Sequence, residues 1–600
     1  MLFSFRCSVK YILLLVLGAL LMQCTNVDRN YKPRPLQSPY TMNADAYQAM
    51  AENHVGEERN ALLLLAAGRL IDEGDWQQGQ EILSQIEAIH PTNKDKKRLL
   101  LAKIDLIQKK PKLAIKRLAK VRELDDLSTY DKAEYYQMLA KAYKQTGRHI
   151  ESIQERVKLE AILPDSMTRD NNRRALWLAL ISLPEPELNT LAIEAREGSA
   201  IKGWASLALI AKSHTADNAG QMLKELKQWD WAFPKHAARS LLPGSLENME
   251  GYLLKKPRQI ALLLPLSGPL SGPGQAVQDG FMSAFRAQGD VSETNLRLYD
   301  THKVSASKAY HQAIQDGADY VIGPLSKKNV AKVAGLTHPV PTILLNYVDT
   351  RTDDNAYQFG LSPPNEARQV AVRARQAGLS RALLIAPQGA WGDEVLGAFG
   401  GEFERHRGHV VDVLRFDPDA PQNLNADIRG LLQAVPDEER KKQLKALAKD
   451  PDLDVGPLRR EDFDMVFLLS YPSNARQIMP LLRYYYAGKV PVYATSSVYS
   501  GSQNTMADRD LDGITFCDMP WVFKNPGAKS HAWPEGFNSY TRLYALGIDS
   551  YNLSHDLNAL LLFPALGTEN QTGALYLSSE HIISRILPFG VFQSGMAKPV

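Results

Sequence analysis

Cysteine is scarce in this sequence, which has three in 600 residues: Cys7, Cys24 and Cys517. Two of them fall within the first 24 residues, so the rest of the chain carries a single thiol and cannot form an internal disulfide. A small fold stapled by disulfides is therefore excluded, and we expect stability to come from packed cores. At roughly 100–200 residues per domain, the length predicts at least two domains.

An excess of charge of one sign is also lacking. The 70 lysines and arginines nearly balance the 67 aspartates and glutamates, for a net charge of +3. Binding to nucleic acid depends on a concentrated basic surface, so we expect no nucleic-acid partner. The Lys-rich runs at 94–98 and 440–445 are interpreted as solvated helix faces or loops.

Motifs of catalysis are missing as well. The sequence has no Gly-x-Ser-x-Gly elbow, no His-Glu-x-x-His helix and no cluster of Cys and His residues. Asp462 and Asp464 lie close together, but they precede an apolar segment, which indicates the solvated start of a strand. We therefore expect no metal, no cofactor and no enzymatic activity. A pair of glycan-cleaving carboxylates brought together from distant positions stays open as an alternative.

One long apolar run is present, at the N-terminus. Arg6 and Lys10 precede the apolar segment Tyr11–Met22, which has about the length of the apolar region of a signal peptide and is short for a membrane span. The following Leu21–Cys24 resembles a lipobox, at which cleavage exposes a cysteine that receives diacylglycerol. Gln23 departs from this pattern, which prefers a small residue there. An uncleaved N-terminal anchor is the alternative.

This leader predicts a signal peptide over residues 1–23 and a tether over 24–43, anchored by acyl chains, palmitate among them, on Cys24. The tether contains the Pro-rich segment 31–35, which suits an extended chain. Lipoproteins retained in the inner membrane of Gram-negative bacteria carry Asp after the cysteine, and this chain has Thr25. The sequence therefore favours the periplasmic side of the outer membrane.

Residues 44–250 are predicted to be helical. Ala67, Ala102 and Ala140 recur at intervals of 35 and 38 residues, which resembles the tetratricopeptide unit of about 34 residues. A small residue at these places lets paired helices approach closely. In the first and third repeats, Gly74 and Gly147 stand at the turn between the paired helices, and Pro91 and Pro164 stop the second helix. The middle repeat has Lys109 and Asp126 at these two places. A generic helical bundle is the alternative.

From Pro257 to Val600, short apolar segments alternate with amphipathic ones, which predicts βαβ units and parallel sheets. Two series of strands indicate two doubly wound lobes, and the highly charged stretch Pro436–Glu461 interrupts the second series as an insertion. The predicted strands are Gln259–Leu264, Leu296–Tyr299, Tyr320–Ile322 and Thr342–Leu345, then Ala382–Ala386, His409–Phe416, Met465–Leu469 and Val492–Thr495.

The loop from Leu266 to Gly274 follows the first strand, where Rossmann-like proteins bind phosphate. That motif fails here, because its third glycine would fall on Val277. The loop does resemble the first strand and loop of type I periplasmic solute-binding proteins, in which such a loop contacts a small ligand between two lobes. Ser267, Gly268 and Ser326 are the matching candidate ligand-binding residues. Their alternative role is in turns alone.

Lipobox, tetratricopeptide-like helices and a solute-binding-like domain, in this order, resemble the penicillin-binding protein activator lipoprotein family (LpoA). The segments that resemble this family are Ile260–Gly268, Ser470–Arg476 and Val492–Gly501. The resemblance implies an α + α/β multidomain protein: an N-terminal tetratricopeptide-like α-solenoid, then a two-lobed type I periplasmic-binding-protein-like α/β domain over 257–600.

The same resemblance implies a function. Members are outer-membrane lipoproteins that bind and stimulate a bifunctional class A penicillin-binding protein, a peptidoglycan synthase, and the C-terminal domain carries the activating surface. Contact with peptidoglycan itself is a further expectation. Two other functions stay open: a small-molecule sensor whose lobes close on a solute, and a glycan-processing enzyme. An open polar cleft would favour the sensor, and a cleft filled by bulky side chains would favour the activator.

The leader generates a direct test. Cys24→Ser should release the chain from membranes into the soluble periplasmic fraction, because it removes the thiol that carries the acyl chains. Fractionation of cells followed by immunoblotting measures this. Retention of the variant in the membrane fraction would mean that the apolar leader itself is the anchor.

Overall fold

The structure, a computed structural model, describes residues 36, 38–73, 75–86, 90–164, 166–213, 218–289, 294–434, 445–446, 459–525 and 538–600. Cys24, Gly74 and most of the insertion Pro436–Glu461 lie outside the described residues. The chain divides into two compact units: residues up to 69 together with 79–179, and residues 70–78 together with 180–600. The 257 boundary falls between a short 3-10 helix, Glu247–Tyr252, and the first strand.

Eleven α-helices precede the first strand among the described residues. Their bounds are α1 Ala44–Glu52, α2 Gly56–Glu73, α3 Trp76–Ser84, α4 Pro91–Ile107, α5 Pro111–Leu118, α6 Thr129–Gln145, α7 His149–Ile162, α8 Ser166–Ile181, α9 Glu185–Glu194, α10 Ala200–Ser213 and α11 Ala219–Ala232. Ala67, Ala102 and Ala140 lie on α2, α4 and α6, and each is fully buried. The repeat predicted from their spacing is confirmed, because each alanine lies on the first helix of a pair. A side chain larger than a methyl group at these places would separate the packed helices.

Proline marks where these helices begin. Pro91, which the sequence pattern placed at the end of a repeat, stands at the first turn of α4, and Pro111 has the same place in α5. The first turn tolerates proline because its backbone N–H groups have no partner within the helix. Ser128 caps α6, accepting a hydrogen bond from the backbone N–H of Asp131 (3.1 Å).

The turn after α4 explains Lys109 in the middle repeat. Lys109 has φ +59° and Gly147, at the turn after α6, has φ +76°. The two turns are built alike: Lys110 N–H donates to Asp105 O, and Arg148 N–H donates to Tyr143 O. Lys109 therefore adopts the left-handed conformation that glycine takes at the equivalent place.

Lobe 1 of the α/β domain is built on an eight-stranded sheet of order β11-β12-β13-β5-β4-β3-β1-β2. The strands β1–β5 and β13 run parallel, and β12 and β11 are antiparallel additions at one edge. Its strands are β1 Gln259–Leu264, β2 Asn295–Asp300, β3 Tyr320–Ile322, β4 Thr342–Leu344, β5 Ala356–Phe359, β11 Thr568–Asn570, β12 Gly573–Leu577 and β13 Ile582–Ile586. Helices α12 Ser271–Ala287, α13 Ala306–Gln315, α14 Lys327–Ala334 and α20 Asn538–Leu562 complete the lobe.

Lobe 2 is built on a seven-stranded sheet of order β15-β14-β10-β9-β8-β6-β7. Its strands are β6 Arg381–Pro387, β7 His409–Phe416, β8 Met465–Leu468, β9 Val492–Ala494, β10 Ile514–Cys517, β14 Phe589–Gln593 and β15 Met596–Pro599, and its helices are α15 Pro363–Gln376, α16 Ala390–Arg405, α17 Leu424–Leu431, α18 Pro472–Tyr484 and α19 Pro520–Lys524. The prediction of two doubly wound lobes is confirmed. The prediction of purely parallel sheets is wrong: β14 pairs antiparallel with β10 and β15, and β12 of lobe 1 pairs antiparallel with β11 and β13.

Alternation along β1 shows why this strand is apolar throughout. Ile260 and Leu262 pack into a cluster with aromatic residues of α12 and α20, and Leu263 packs on the other face against α13 and α14. A strand buried on both faces reads as a continuous apolar run, as parallel sheets covered by helices require.

Helix α20 packs very closely on α12, because glycine stands at both points of contact. A Cβ on Gly280 would lie 1.9 Å from the carbonyl oxygen of Tyr544, and a Cβ on Gly547 would lie 2.1 Å from that of Val277. Either contact is far shorter than a van der Waals separation. Any larger residue would push the helices apart, so α20 is held firmly to lobe 1.

Lys109→Gly should stabilise the helical region by about 0.5–1 kcal/mol, because glycine adopts the left-handed conformation without the steric cost of a Cβ. The reciprocal change Gly147→Lys should destabilise by about 1 kcal/mol. Urea unfolding followed by circular dichroism measures both. Equal effects of one sign for the two variants would contradict the assignment of the two turns to one motif.

Candidate functional site

The cleft between the two lobes is the candidate site, because the chain crosses there three times within the α/β domain. The crossings join β5 to β6, β10 to β11 and β13 to β14. In open α/β folds, ligands bind outside the carboxyl ends of the parallel strands. The residues that follow β1, β3, β4 and β5 therefore decide what the cleft can hold.

Ser267 follows β1 and is engaged with the next strand. Its Oγ donates to Asp300 Oδ2 (2.6 Å), and the backbone N–H groups of Leu266 and His302 donate to Asp300 Oδ1. Burial acts to raise the pKa of Asp300, but these hydrogen bonds outweigh it and the pKa lies below its usual value. Ser267 thus fixes the loop to the end of β2.

Gly268, the second candidate of this loop, has φ +74°. A Cβ on this residue would lie 2.5 Å from the imidazole of His302. Two independent constraints therefore require glycine here, the left-handed backbone and the ring beside it. Both constraints concern the shape of the loop, and a role in ligand binding stays a prediction for Ser267 and Gly268.

Ser326, the third candidate, caps α14 by accepting the backbone N–H of Asn329 (3.4 Å). It also lines a cavity of about 240 Å³ at the carboxyl ends of the lobe 1 strands. Seven of the nine residues around this cavity are apolar: Leu270, Pro273, Leu325, Leu345, Leu361, Leu543 and Leu546. Of the three candidates, Ser326 is the one that the structure brings to the cavity.

The second polar residue around the cavity is Asn346. Its amide Nδ2 donates to the carbonyl oxygen of Leu325 (3.1 Å), and its Oδ1 accepts the N–H of Tyr347 (2.9 Å). Both polar lining residues are thus used in local hydrogen bonds, and all nine lining residues are uncharged. An amino acid requires partners for its ammonium and carboxylate groups on burial, so this cavity suits an aliphatic group far better than a zwitterion.

A buried ion pair connects the start of α20 to lobe 2. The guanidinium of Arg542 donates from Nε to Asp518 Oδ1 (2.9 Å) and from Nη2 to Asp518 Oδ2 (2.5 Å). Nη2 also donates to the carbonyl oxygens of Ser496 and Tyr499. Burial acts to lower the pKa of Arg542, but Asp518 outweighs it and the pKa is raised, so the guanidinium stays charged.

A second buried pair joins β13 of lobe 1 to α15 of lobe 2. Arg585 Nη2 lies 3.7 Å from Glu366 Oε1, and Glu366 Oε2 accepts the backbone N–H of Ser496. Gln369, one turn later on α15, donates to the carbonyl oxygen of Arg585 and accepts the N–H of Leu587. Burial raises the pKa of Glu366, while the charge of Arg585 opposes this. These contacts tie together two of the three crossings.

The outer side of the cleft is also bridged. Lys327 at the start of α14 lies 3.8 Å from Glu394 on α16, so an ion pair connects the lobes there. Both side chains are more than half exposed, and an exposed pair contributes about 0–1 kcal/mol. This exposed ion pair therefore shows that the two lobes are in contact at this edge but contributes little to stability. The buried pairs stabilise the arrangement of the two lobes.

The two aspartates that precede β8 are structural. Asp464 accepts the N–H of Ser380 and of Arg381, and Asp462 pairs with Arg460. Their prediction as the start of a strand is confirmed. Within the described part of the chain, no group of three or more His, Cys, Asp and Glu residues could hold a metal ion. Among the described helices, none is both long enough and apolar enough to cross a membrane.

Sequence reasoning missed the buried pairs at the crossings, because Glu366, Asp518, Arg542 and Arg585 come from distant elements. The signal available in the sequence was weak: single charged residues within apolar surroundings. Burial also raises the pKa of Cys517, which neighbours this network, well above its usual value. That thiol is protonated at neutral pH and inert as a nucleophile.

Comparison with known proteins gives a family and two groups of relatives. The sequence profile described as LppC putative lipoprotein matches residues 37–595. A protein of Vibrio antiquarius named penicillin-binding protein activator LpoA is 27% identical over 602 residues, which covers 97% of this chain and 98% of the relative. A protein of the same name from Vibrio cholerae serotype O1 is 27% identical over 576 residues, covering 93% and 92%.

A crystal structure of Haemophilus influenzae LpoA is 24% identical to this chain, with a TM-score of 0.50, and the match covers 94% of this chain and 99% of that one. This likeness concerns the fold. The predicted fold class, a tetratricopeptide-like helical region followed by a two-lobed domain of the periplasmic-binding-protein type, is confirmed.

Asp518→Ala should destabilise the α/β domain by about 3–5 kcal/mol, because it leaves the buried guanidinium of Arg542 without a counter-charge. Asp393→Ala is the matched control: Asp393 pairs with Arg415 at 2.8 Å, but both side chains are at least half exposed, so the loss should stay within about 1 kcal/mol. Urea unfolding measures both variants. Equal losses would mean that the buried pair has no special part in holding the domain.

Proposed function

The chain belongs to the LppC putative lipoprotein family, and on that premise we propose that it is an outer-membrane lipoprotein that activates a peptidoglycan synthase. The partner is a bifunctional class A penicillin-binding protein. Binding of the chain stimulates peptide cross-linking and synthesis of peptidoglycan, and the chemistry belongs to the synthase. Cys24 carries the acyl chains that hold the protein on the periplasmic side of the outer membrane.

One finding supports the proposed partner and another supports the proposed location. The relatives from Vibrio antiquarius and Vibrio cholerae are named penicillin-binding protein activators, and the first of them matches this chain over nearly its whole length. The leader supports the location, since a basic, apolar and Cys-terminated segment is typical of exported lipoproteins.

The observation that carries the proposal is the character of the cleft. A sensor that closes on a small polar solute requires polar groups aimed at the ligand and two lobes free to open. Here Leu543 and Leu546 of α20 line the apolar cavity, and the buried pairs Arg542–Asp518 and Arg585–Glu366 tie the lobes together. An α/β domain of this kind is suited to present a fixed surface to another protein.

We further propose that residues 257–600 carry the activating contact, with the helical residues 44–250 positioning that domain. Activation is a shift of the synthase toward a more active state, favoured by the chain because it binds that state more tightly. The stimulation must therefore saturate as the chain is added. Because the chemistry belongs to the synthase, the covalent structure of this chain must be unchanged after the reaction.

The test uses the soluble chain of residues 25–600 with a purified class A synthase and lipid-linked peptidoglycan precursor. We expect the fraction of cross-linked peptides, measured by chromatography of digested product, to rise severalfold and to saturate near one chain per synthase. Hydrogen exchange of the same mixture should reveal protection within residues 257–600.

Three results would contradict the proposal in different ways. Unchanged cross-linking by a synthase that is active alone would exclude activation. Protection confined to residues 44–250 would reverse the roles of the two regions. Cleavage or linkage of glycan by the chain without synthase would indicate the enzyme. A calorimetric titration of the chain with aliphatic amino acids tests the alternative function, because tight binding would favour a small-molecule sensor.

A further inference from the structure

The first compact unit, residues up to 69 together with 79–179, is called the helical unit here. It has a groove formed by the first helices of three successive pairs. The groove has a volume of about 100 Å³ and is lined by residues of α2, α4 and α6, among them Leu64, Leu99 and Met138. Two further lining residues come from outside the helices: Pro39 and Tyr40, which precede α1. The segment that the sequence assigns to the tether thus forms part of the wall of this groove.

Tyr40 is seated between two of these helices. Its ring packs edge-on against the ring of Tyr130 at the start of α6, with centroids 6.0 Å apart. On the other side it lies over Gly68 of α2, where a Cβ would come within 2.4 Å of the ring carbons Cε1 and Cζ and of the hydroxyl oxygen. Gly68 therefore provides the space that the ring of Tyr40 occupies.

The backbone of the same segment is held by a buried hydroxyl. Tyr47 of α1 donates its OH to the carbonyl oxygen of Pro39 (3.1 Å). That hydroxyl also accepts the N–H groups of Thr41 (2.9 Å) and Met42 (3.3 Å). Tyr47 itself is 2% exposed, and its hydrogen bonds fix the turn that directs Tyr40 into the groove.

Leu36 provides a second point of attachment. It packs against a cluster formed by Ala133 of α6 and by Leu159 and Leu163 at the end of α7. Leu36 and Tyr40 are thus two apolar anchors four residues apart, placed on different parts of one helical unit. An extended peptide bound along a repeat surface is held in the same way, by side-chain anchors and by hydrogen bonds to its backbone.

The groove has its charges already paired. Lys103 Nζ lies 2.7 Å from Glu134 Oε2, and Lys96 Nζ lies 3.8 Å from Asp131 Oδ2. A charged ligand would have to displace one of these partners. The groove is therefore suited to an uncharged segment with an aromatic residue beside a proline, which is the chemistry of Ser38-Pro39-Tyr40.

We propose that this groove is a peptide-binding site and that its resident ligand is part of the chain's own tether, Leu36 and residues 38–42, with Tyr40 as the anchor. The attachment is intramolecular, and a short connection gives an effective concentration in the millimolar range. Weak intrinsic affinity is therefore enough to keep the tether in place and to exclude other extended segments from the groove.

Docking of the tether also limits how far the fold can lie from its lipid. This consequence rests on lipidation of Cys24, which belongs to the proposed function. With Leu36 held, at most roughly 40 Å of extended chain separates it from Cys24, against roughly 65 Å if the chain were free up to Asn43. A docked tether thus keeps the helical unit closer to the membrane.

The test compares two soluble forms of the chain, residues 25–600 and residues 43–600, after circular dichroism has established that both are folded. A fluorescent peptide of residues 34–43 is titrated with each. We expect saturable binding to the shorter form, at least tenfold weaker binding of the Tyr40→Ala peptide, and at least tenfold weaker binding of the unchanged peptide to the longer form. Absence of saturable binding to the shorter form, or equal binding to both, would overturn the proposal.

A second arm uses the intact chain of residues 25–600. Gly68→Ala places a Cβ where the ring of Tyr40 lies, so hydrogen exchange of the N–H groups of Thr41 and Met42 should accelerate at least tenfold. Gly220→Ala is the matched control, a helix glycine with open space around its Cβ. Unchanged exchange in the Gly68 variant would overturn the docking. Protection that disappears on dilution of the unsubstituted chain would mean that the tether comes from a second copy, which would overturn the intramolecular attachment.

Neither arm depends on the synthase or on the lipid. The docking can therefore fail while activation succeeds, and the reverse can also occur. If the tether binds as proposed and the chain does not affect cross-linking, the peptide-binding site is supported and the proposed function is wrong.

Discussion

The buried ion pair between Arg542 and Asp518 is the interaction on which the arrangement of the α/β domain depends. Helix α20 is fixed to lobe 1 along its middle, where Gly280 and Gly547 allow backbone to approach backbone. Its first turns carry Arg542, which reaches Asp518 and two carbonyl oxygens of lobe 2. Burying a guanidinium costs several kcal/mol unless all its partners are in place, so this end of the helix is held to lobe 2.

The character of the cleft follows from this constraint. With α20 fixed at its first turns and along its middle, Leu543 and Leu546 line the cavity at the carboxyl ends of the lobe 1 strands, and this cavity is apolar. The serine loop that would meet a solute is instead occupied with Asp300, through Ser267. An apolar cavity and two lobes tied by buried ion pairs agree with the proposed role in contacting another protein.

Much of this architecture could be predicted from the sequence, because it rests on local patterns. The spacing of Ala67, Ala102 and Ala140 indicated paired helices, and continuous apolar runs such as Gln259–Leu264 indicated strands covered on both faces. The short strands β5 and β10 and the C-terminal strands β11–β15 were missed, since segments of three to five residues have little periodicity. The buried pairs at the crossings and the docking of Tyr40 depend on contacts between distant elements, so no local pattern reveals them.

The distance between the lobes tests most directly whether the domain is a fixed body. Spin labels on Lys308→Cys of α13 and Glu404→Cys of α16, both exposed, report it in the chain of residues 25–600, where the native thiol of Cys517 is fully buried and stays unlabelled. We predict one narrow distance distribution that is the same without ligand and with a saturating mixture of amino acids. A shift to a shorter distance on addition of solute would contradict this account, because it would mean that the lobes close on a ligand as those of a sensor do.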